Sequence, residues 1–271
     1  MIEINIDPNM FSLGPLLITW HGFFSAVGLA AGLWLTAKLV EGTRVTADDV
    51  YSVAMAAVPG GIVGARLLFV MENWHLFADR PLGILAINEG GISIYGAVIG
   101  GSIAGALLTR FLKLPVALLA DRAAIGLIVG EAIGRIGDII NGEHHGREAE
   151  GLPWSVTYTH PQTLGEPGVA VHPAVAYEMV WDLAMGALLY WFLRRQPRSG
   201  LTYVAYLFVY SVGRLWTGFF RKDTIVLPAS PTGDAGLGMA QLIAVVLIAV
   251  SIPWFFTMVR DAQRRGLSPT T

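Results

Sequence analysis

Three residues of one apolar stretch, Glu131, Arg135 and Asp138, fall at i, i+4 and i+7, so on a helix they form a single stripe. Tyr210 and Arg214 repeat the four-residue spacing farther along. Arginine grips phosphate in a planar fork of N–H donors, so guanidiniums set inside a membrane point to an anionic lipid headgroup. A charge at a helix centre costs about 2.5–3.5 kcal/mol to insert, and such residues need a partner or a task. Arg66, His21, Tyr95, His172, Tyr177 and Glu178 lie at comparable levels of other apolar stretches. Any one of them is explained by an ion pair that fixes packing, or by a side chain that snorkels to the headgroups. Five or six helices that aim polar groups at one level read together as a site. The chain has no cysteine, so it has no thiolate ligand or cysteine nucleophile, and any thiol must come from a partner. His144, His145 and His172 offer metal-ligand chemistry, but adjacent histidines diverge on a helix and no acidic cluster completes a zinc pattern. Neither a metal nor a cofactor is expected.

The elements that must hold these residues are membrane helices. Of 271 residues, 54 % are hydrophobic and only 14 % charged, against about 25 % charged in soluble domains. A net charge of −2 gives no reason to expect a nucleic-acid partner. Seven apolar runs are long enough to cross a bilayer, at roughly 16–40, 50–71, 92–112, 115–140, 173–193, 201–220 and 238–259. The predicted fold class is all-α, a single integral membrane domain over 1–271 built as a bundle of about seven transmembrane helices. Small residues recur at four-residue spacing, as Gly28/Gly32, Gly60/Gly64, Gly96/Gly100 and Gly126/Gly130/Gly134, which lets helices approach closely. Lys38, Arg44, Arg110, Lys113, Arg122, Arg194, Arg195, Arg198, Arg260, Arg264 and Arg265 gather at one face, and Arg80, Arg147, Arg221 and Lys222 lie at the other. The positive face is normally cytoplasmic, so the N-terminus is expected outside and the C-terminus inside. Loops 72–91, 141–172 and 221–237 then fall outside as arms or a small cap, with 141–172 an extracytoplasmic insertion between spans four and five. No basic residue precedes the first apolar run, so that span is expected to be retained, not cleaved as a signal peptide.

The residues also resemble a known family, the bacterial prolipoprotein diacylglyceryl transferases. The segment from Gly134 to Glu143, with Gly146 and Arg147 after it, looks like the family signature GRxGNxxNGExxGR. In order along the chain come Gly64-Ala65-Arg66-Leu67, Gly90-Gly91-Ile92-Ser93, His172-Pro173, Tyr177-Glu178, Tyr210 with Arg214, Phe219-Phe220-Arg221 and Gln241. The resemblance implies an enzyme of the bacterial inner membrane. It moves a diacylglyceryl group from phosphatidylglycerol to the lipobox cysteine in the signal peptide of a preprolipoprotein, leaving glycerol phosphate and a thioether. The nucleophile would then belong to the substrate, and Arg135 and Arg214 would neutralise the departing phosphate. Asn141, Glu143, Gly146 and Arg147 would shape the outer wall. Arg66, Asp138, His172, Tyr177, Glu178, Tyr210, Arg221 and Gln241 match further positions expected to bind substrate or membrane lipid.

Four positions depart from the family pattern. Tyr95 stands where a histidine is common, His21 where a tyrosine is common, Asp138 replaces the signature asparagine, and Gly218 stands where an acid is expected four residues after Arg214. His21 and Tyr95 lie near the outer ends of their spans, so His21 is expected to supply the imidazole that takes the thiol proton, and Tyr95 to orient the lipid. Two other functions were weighed. A non-catalytic lipid-binding or lipid-moving relative would keep the arginines and lack the chemistry. A retinal photoreceptor or pump is disfavoured because Lys38, Lys113 and Lys222 all lie outside the last span.

Overall fold

A computed structural model of the chain describes residues 1–14, 16–78, 81–86, 91–223, 225–228 and 236–267. Arg80 and Gly90, and parts of the loops 72–91 and 221–237, lie outside the described residues. Seven α-helices are described: α1 (Trp20–Leu39), α2 (Ala47–Glu72), α3 (Ile94–Phe111), α4 (Val116–Asn141), α5 (Ala174–Leu193), α6 (Leu201–Thr217) and α7 (Met239–Arg264). Short strands β1 (Ile2–Ile4), β2 (Asn9–Leu13), β3 (Leu16–Thr19), β4 (Val156–Tyr158), β5 (Ala170–Val171), β6 (Ile225–Pro228) and β7 (Gly236–Gly238) occupy the segments between them.

The helices are inverted relative to a soluble protein. Ile62 at 50 %, Val98 and Val180 at 62 % and Val246 at 60 % are open, whereas Asp121, Asp138, Glu178 and Asp182 are at most 5 % exposed. Apolar side chains outside and acidic groups inside, Asp121, Asp138 and Glu178 among them with partners, suit hydrocarbon as the solvent. Among the described residues, α1, α2, α3 and α7 are long and apolar enough to cross a membrane. Of the other three, α4 and α5 carry several charges along their length, Asp121, Arg122, Glu131, Arg135 and Asp138 on α4 and Glu178 and Asp182 on α5, and α6 has 17 residues.

Three boundaries differ from the sequence reading. Leu16–Thr19 does not begin the first span but pairs as β3 with β2 in an antiparallel hairpin. The sixth helix stops at Thr217 and gives way to a 3-10 turn over Gly218–Phe220. The seventh runs to Arg264, because its polar last turns leave the apolar region without leaving the helix. Gly134 meets α1 through its backbone, its nitrogen 3.4 Å from where a Cβ on Gly28 would lie, although a Cβ on Gly134 itself would meet nothing within 4 Å.

The chain divides into two compact units, Met1–Leu35 with Ala120–Thr271, and Thr36–Leu119. In the second, α2 and α3 cross on their glycines: a Cβ on Gly64 would lie 2.3 Å from the Gly96 carbonyl oxygen, and one on Gly100 would lie 2.4 Å from that of Gly60. Thr46 and Asp49 cap α2 reciprocally, and Val40, Val45, Val50 and Leu119 cluster around that end. In the first unit, Gly28 and Gly32 of α1 meet Gly130 and Gly126 of α4 in the same manner. Asp121 of α4 is fully buried and accepts from the backbone N–H groups of Gly200 (2.6 Å) and Tyr203 (2.9 Å), satisfying the N-terminus of α6. β1 runs parallel to β4, which pairs antiparallel with β5, so the N-terminal arm and the 141–172 loop form one sheet.

Candidate active site

Glu178, in the second turn of α5 and 5 % exposed, is the hub of the first unit. Its carboxylate lies 3.1 Å from Arg135 Nη2 of α4 and accepts from Arg214 Nη1 of α6 at 2.6 Å, from Arg221 Nη1 at 3.3 Å and from Thr217 Oγ1 at 3.0 Å. Three guanidiniums from separate elements thus converge on one carboxylate, and the low dielectric makes that arrangement mutually dependent. Further acids complete the balance. Glu131 accepts from Arg135 Nη2 at 2.7 Å and from the Tyr210 hydroxyl at 3.3 Å. Asp223 takes Arg214 Nη2 at 3.4 Å and Arg221 Nε at 3.3 Å. Arg135 Nε is buried and has no hydrogen-bond partner among the described residues, so within them this guanidinium keeps one donor unspent.

The fourth-span stripe leads from this cluster to an imidazole. Asp138 accepts from Arg135 Nη1 at 3.0 Å on one oxygen and meets His21 Nδ1 at 2.5 Å on the other. The approach of α1 depends on Gly137, where a Cβ would lie 2.7 Å from His21 Cα. Glu143 Oε2 lies 3.3 Å from the same nitrogen, and the Asn141 side chain donates to Glu143 Oε1 at 3.0 Å, aiming it. With carboxylate oxygens on Nδ1, that nitrogen carries the hydrogen and Nε2 is the proton acceptor. His21, Asp138 and Glu143 also have the mutual spacing of metal ligands. The Arg135 guanidinium on Asp138 already supplies the positive charge that a cation would bring there.

The segment after α4 meets the start of α5 and the turn after α6. Gly146 packs so tightly that a Cβ would lie 2.0 Å from the His172 carbonyl oxygen. Arg147 donates its backbone N–H to the Phe220 carbonyl (2.8 Å) and Nε to the Arg221 carbonyl (3.1 Å), while its own carbonyl accepts the His172 N–H at 2.8 Å. Tyr177 accepts from Trp154 Nε1 at 2.8 Å, lies 3.4 Å from His172 Nδ1 and packs edge-on against Phe220. His144 and His145 follow the end of α4 instead of riding a helix. His144 Nε2 lies 3.6 Å from Asp138, and the His145 carbonyl accepts the Lys222 N–H. Burial and the positive field of Arg221 push the His144 imidazole down to about 4.

Other sequence-identified residues serve differently. Gln241, at the start of α7, donates to the Leu215 carbonyl at 3.2 Å and accepts from the Gly238 N–H at 3.0 Å, tying α7 to the end of α6. A Cβ on Gly218 would lie 2.7 Å from Gln241 Cδ, so an acid there would collide, and Asp223 supplies Arg214 with a carboxylate instead. Arg66 and Tyr95 belong to the second unit. Arg66 donates to the carbonyls of Gly83, Ile84 and Gly91 at 2.6–2.8 Å and lies over Phe69 and Phe77. Tyr95 is half-buried in the first turn of α3. Sequence reasoning missed Thr217, Asp182 and Asp223. The first two sit three residues after Arg214 and four after Glu178, a helical spacing that could have found them, while nothing marked the loop residue Asp223.

A family model described as prolipoprotein diacylglyceryl transferase matches residues 8–257. A protein of Dehalococcoides mccartyi is 34 % identical over 266 residues, covering 97 % of this chain and 98 % of its own. One of Clostridioides difficile is 32 % identical over 241 residues (89 % and 91 %), and one of Trichormus variabilis 33 % over 275 (97 % and 94 %). All three carry the name phosphatidylglycerol–prolipoprotein diacylglyceryl transferase. With a family model across most of its length and relatives matched nearly end to end, this chain belongs to the prolipoprotein diacylglyceryl transferase family.

Proposed function

We propose that the chain transfers the diacylglyceryl group of phosphatidylglycerol to the lipobox cysteine of a preprolipoprotein, and that His21, Arg135 and Arg214 carry the chemistry. The observation that bears most weight is the bridge through Asp138, which joins an oriented imidazole to the guanidinium cluster around Glu178. His21 Nε2 takes the thiol proton while Asp138 fixes the tautomer through Nδ1. The sulfur attacks the glycerol carbon that bears the phosphate. The C–S bond forms as the C–O bond breaks, and its electron pair leaves on the phosphate of glycerol phosphate. Arg135 and Arg214 receive that charge, the phosphate exchanging with carboxylates for their N–H groups. The family membership and the names of its relatives do not favour a non-catalytic lipid carrier.

The remaining residues support this chemistry. Asn141 and Glu143 hold the imidazole from the outer side, and Gly146, Arg147 and His172 fix the wall that carries Arg221. Tyr210 braces Glu131, Tyr177 packs against His172 and Phe220, Gln241 steadies the end of α6, and Arg66 anchors the loop it touches. The protein lies in the bacterial inner membrane with residues 141–172 outside as an insertion in a single membrane domain. Impermeant reagents should accordingly label Glu166→Cys from outside and Gln263→Cys only from inside. To test the reaction, purified protein is given phosphatidylglycerol vesicles and a single-cysteine peptide. Glycerol phosphate should appear in step with thiol loss, and none should appear with a serine peptide. Release of glycerol phosphate without thiol loss would make the protein a lipid hydrolase and overturn the reading.

A further inference from the structure

The ion pairs around Glu178 have a second polar layer beneath them. Each of the three helices that supplies a charge to that cluster carries another polar group one turn farther from the helix ends near Arg147: Glu131 four residues before Arg135 on α4, Asp182 four after Glu178 on α5, and Tyr210 four before Arg214 on α6. These six residues, with Trp181 and Gly213, line a cavity of about 10 Å³, which is room for about one water or one hydroxyl group. Two of the lining residues have a buried polar atom with no hydrogen-bond partner among the described residues, the acceptor Asp182 Oδ2 and the donor Arg135 Nε. Asp182 is only 4 % exposed, and a buried carboxylate oxygen left without a donor is costly. A single group that both donates and accepts satisfies the two atoms together.

We propose that this cavity seats one hydroxyl of the lipid headgroup, and that Asp182 makes the protein select headgroups that carry one. The inference rests on the transfer reaction proposed above. The order of groups along the helices argues for it. In the lipid, the chain of atoms runs from the glycerol carbon that the sulfur attacks, through the phosphate, to the headgroup alcohol. Along α4 the protein runs the same way, from Asp138 with His21, through Arg135, to Glu131, a span of about 10 Å at 1.5 Å per residue. With the thiol at His21 and the phosphate on Arg135 and Arg214, the headgroup alcohol points toward Glu131 and Asp182. Chemistry narrows the occupant further. A hydroxyl that displaces water from such a seat reproduces its hydrogen bonds, and an alkyl end does not. An ammonium end donates to Asp182 but accepts from nothing, so it leaves Arg135 Nε unspent and sets a second positive charge beside it.

The test compares phosphatidylglycerol with phosphatidylpropanol of the same acyl chains, which has the same three-carbon headgroup without its hydroxyls. The leaving phosphates are alike, so the two lipids differ in recognition. Purified full-length protein, vesicles of either lipid and a single-cysteine peptide are used, and thioether formation is read as kcat/KM for the lipid. The parent should prefer phosphatidylglycerol by about tenfold or more. Asp182→Leu removes the acceptor at similar size and should bring that ratio down to about threefold or less, chiefly through loss with phosphatidylglycerol. Asp182→Asn, which keeps the shape and replaces one acceptor oxygen by a donor, should narrow the ratio less. A residue that merely held the helices together would lower both rates alike and leave the ratio unaltered. An unaltered ratio in whichever variant folds, or a parent that uses both lipids equally, would overturn the hydroxyl seat and leave the transfer reading standing. Failure of the parent to form a thioether with either lipid would overturn both.

Discussion

Replacing Asp138 by Asn keeps the shape of the side chain and removes its charge. Asp138 is 3 % exposed and accepts from two donors, His21 Nδ1 at 2.5 Å and Arg135 Nη1 at 3.0 Å. An amide has one oxygen, so it can satisfy one donor and must turn N–H groups toward the other. A hydrogen bond to a charged group is worth about 1.5–3 kcal/mol, so turnover should fall about 10- to 150-fold. Part of that loss belongs to Arg135, and a double-mutant cycle separates it. His21→Gln removes the base and should cost about 100-fold or more. If Asp138 acts through His21, the double variant His21→Gln/Asp138→Asn is little slower than His21→Gln alone. The assay is the initial rate of thioether formation at saturating phosphatidylglycerol, with folding checked by thermal unfolding in detergent. Losses that multiply would show two independent residues and refute the dyad, and full activity in His21→Gln would remove the imidazole from the mechanism.

Arg135→Lys and Arg214→Lys keep charge and lose the planar fork, so each should turn over at least tenfold more slowly, about 1.4 kcal/mol, with Gln worse in the same assay. Gly64→Ala places a Cβ 2.3 Å from the Gly96 carbonyl oxygen. It should force α2 from α3 and destabilise by about 1–3 kcal/mol, read as a lower Tm in detergent. His144 is held at about 4 when folded against an ordinary value of 6.5, so only the unfolded chain takes up its proton between those values. Stability should fall as pH drops from about 6.5 toward 4, and His144→Gln should blunt that slope in thermal unfolding measured across pH.

The seven helices were legible because an apolar run long enough to span hydrocarbon has few soluble alternatives. Their ends were less so. Leu16–Thr19 is as apolar as the helix it precedes, and only its pairing with Asn9–Leu13 makes it a strand. The glycine spacing of α2 and α3 foretold their crossing, and that of α1 and α4 theirs, with Gly28 facing the backbone of Gly130 and Gly134. Arg135, Arg214 and Glu178 could be picked as charges that a membrane would not tolerate unpaired, and Arg221 by its match to the family pattern. Their convergence on one carboxylate required the fold, since Glu178 stands 43 positions from Arg221. The same holds for His21 and Asp138, 117 positions apart, joined only because Gly137 lets α1 and α4 meet.

The central claim is that this chain moves a lipid onto a thiol using the residues around Asp138 and Glu178. Intact mass spectrometry of a single-cysteine acceptor peptide, after incubation with purified protein and phosphatidylglycerol of one defined acyl composition, tests it most directly. The account predicts a peptide heavier by one diacylglyceryl group, attached at sulfur, formed by the parent and sharply reduced in Arg135→Gln and His21→Gln. An unmodified peptide with the parent, or an adduct formed equally by all three proteins, would contradict it.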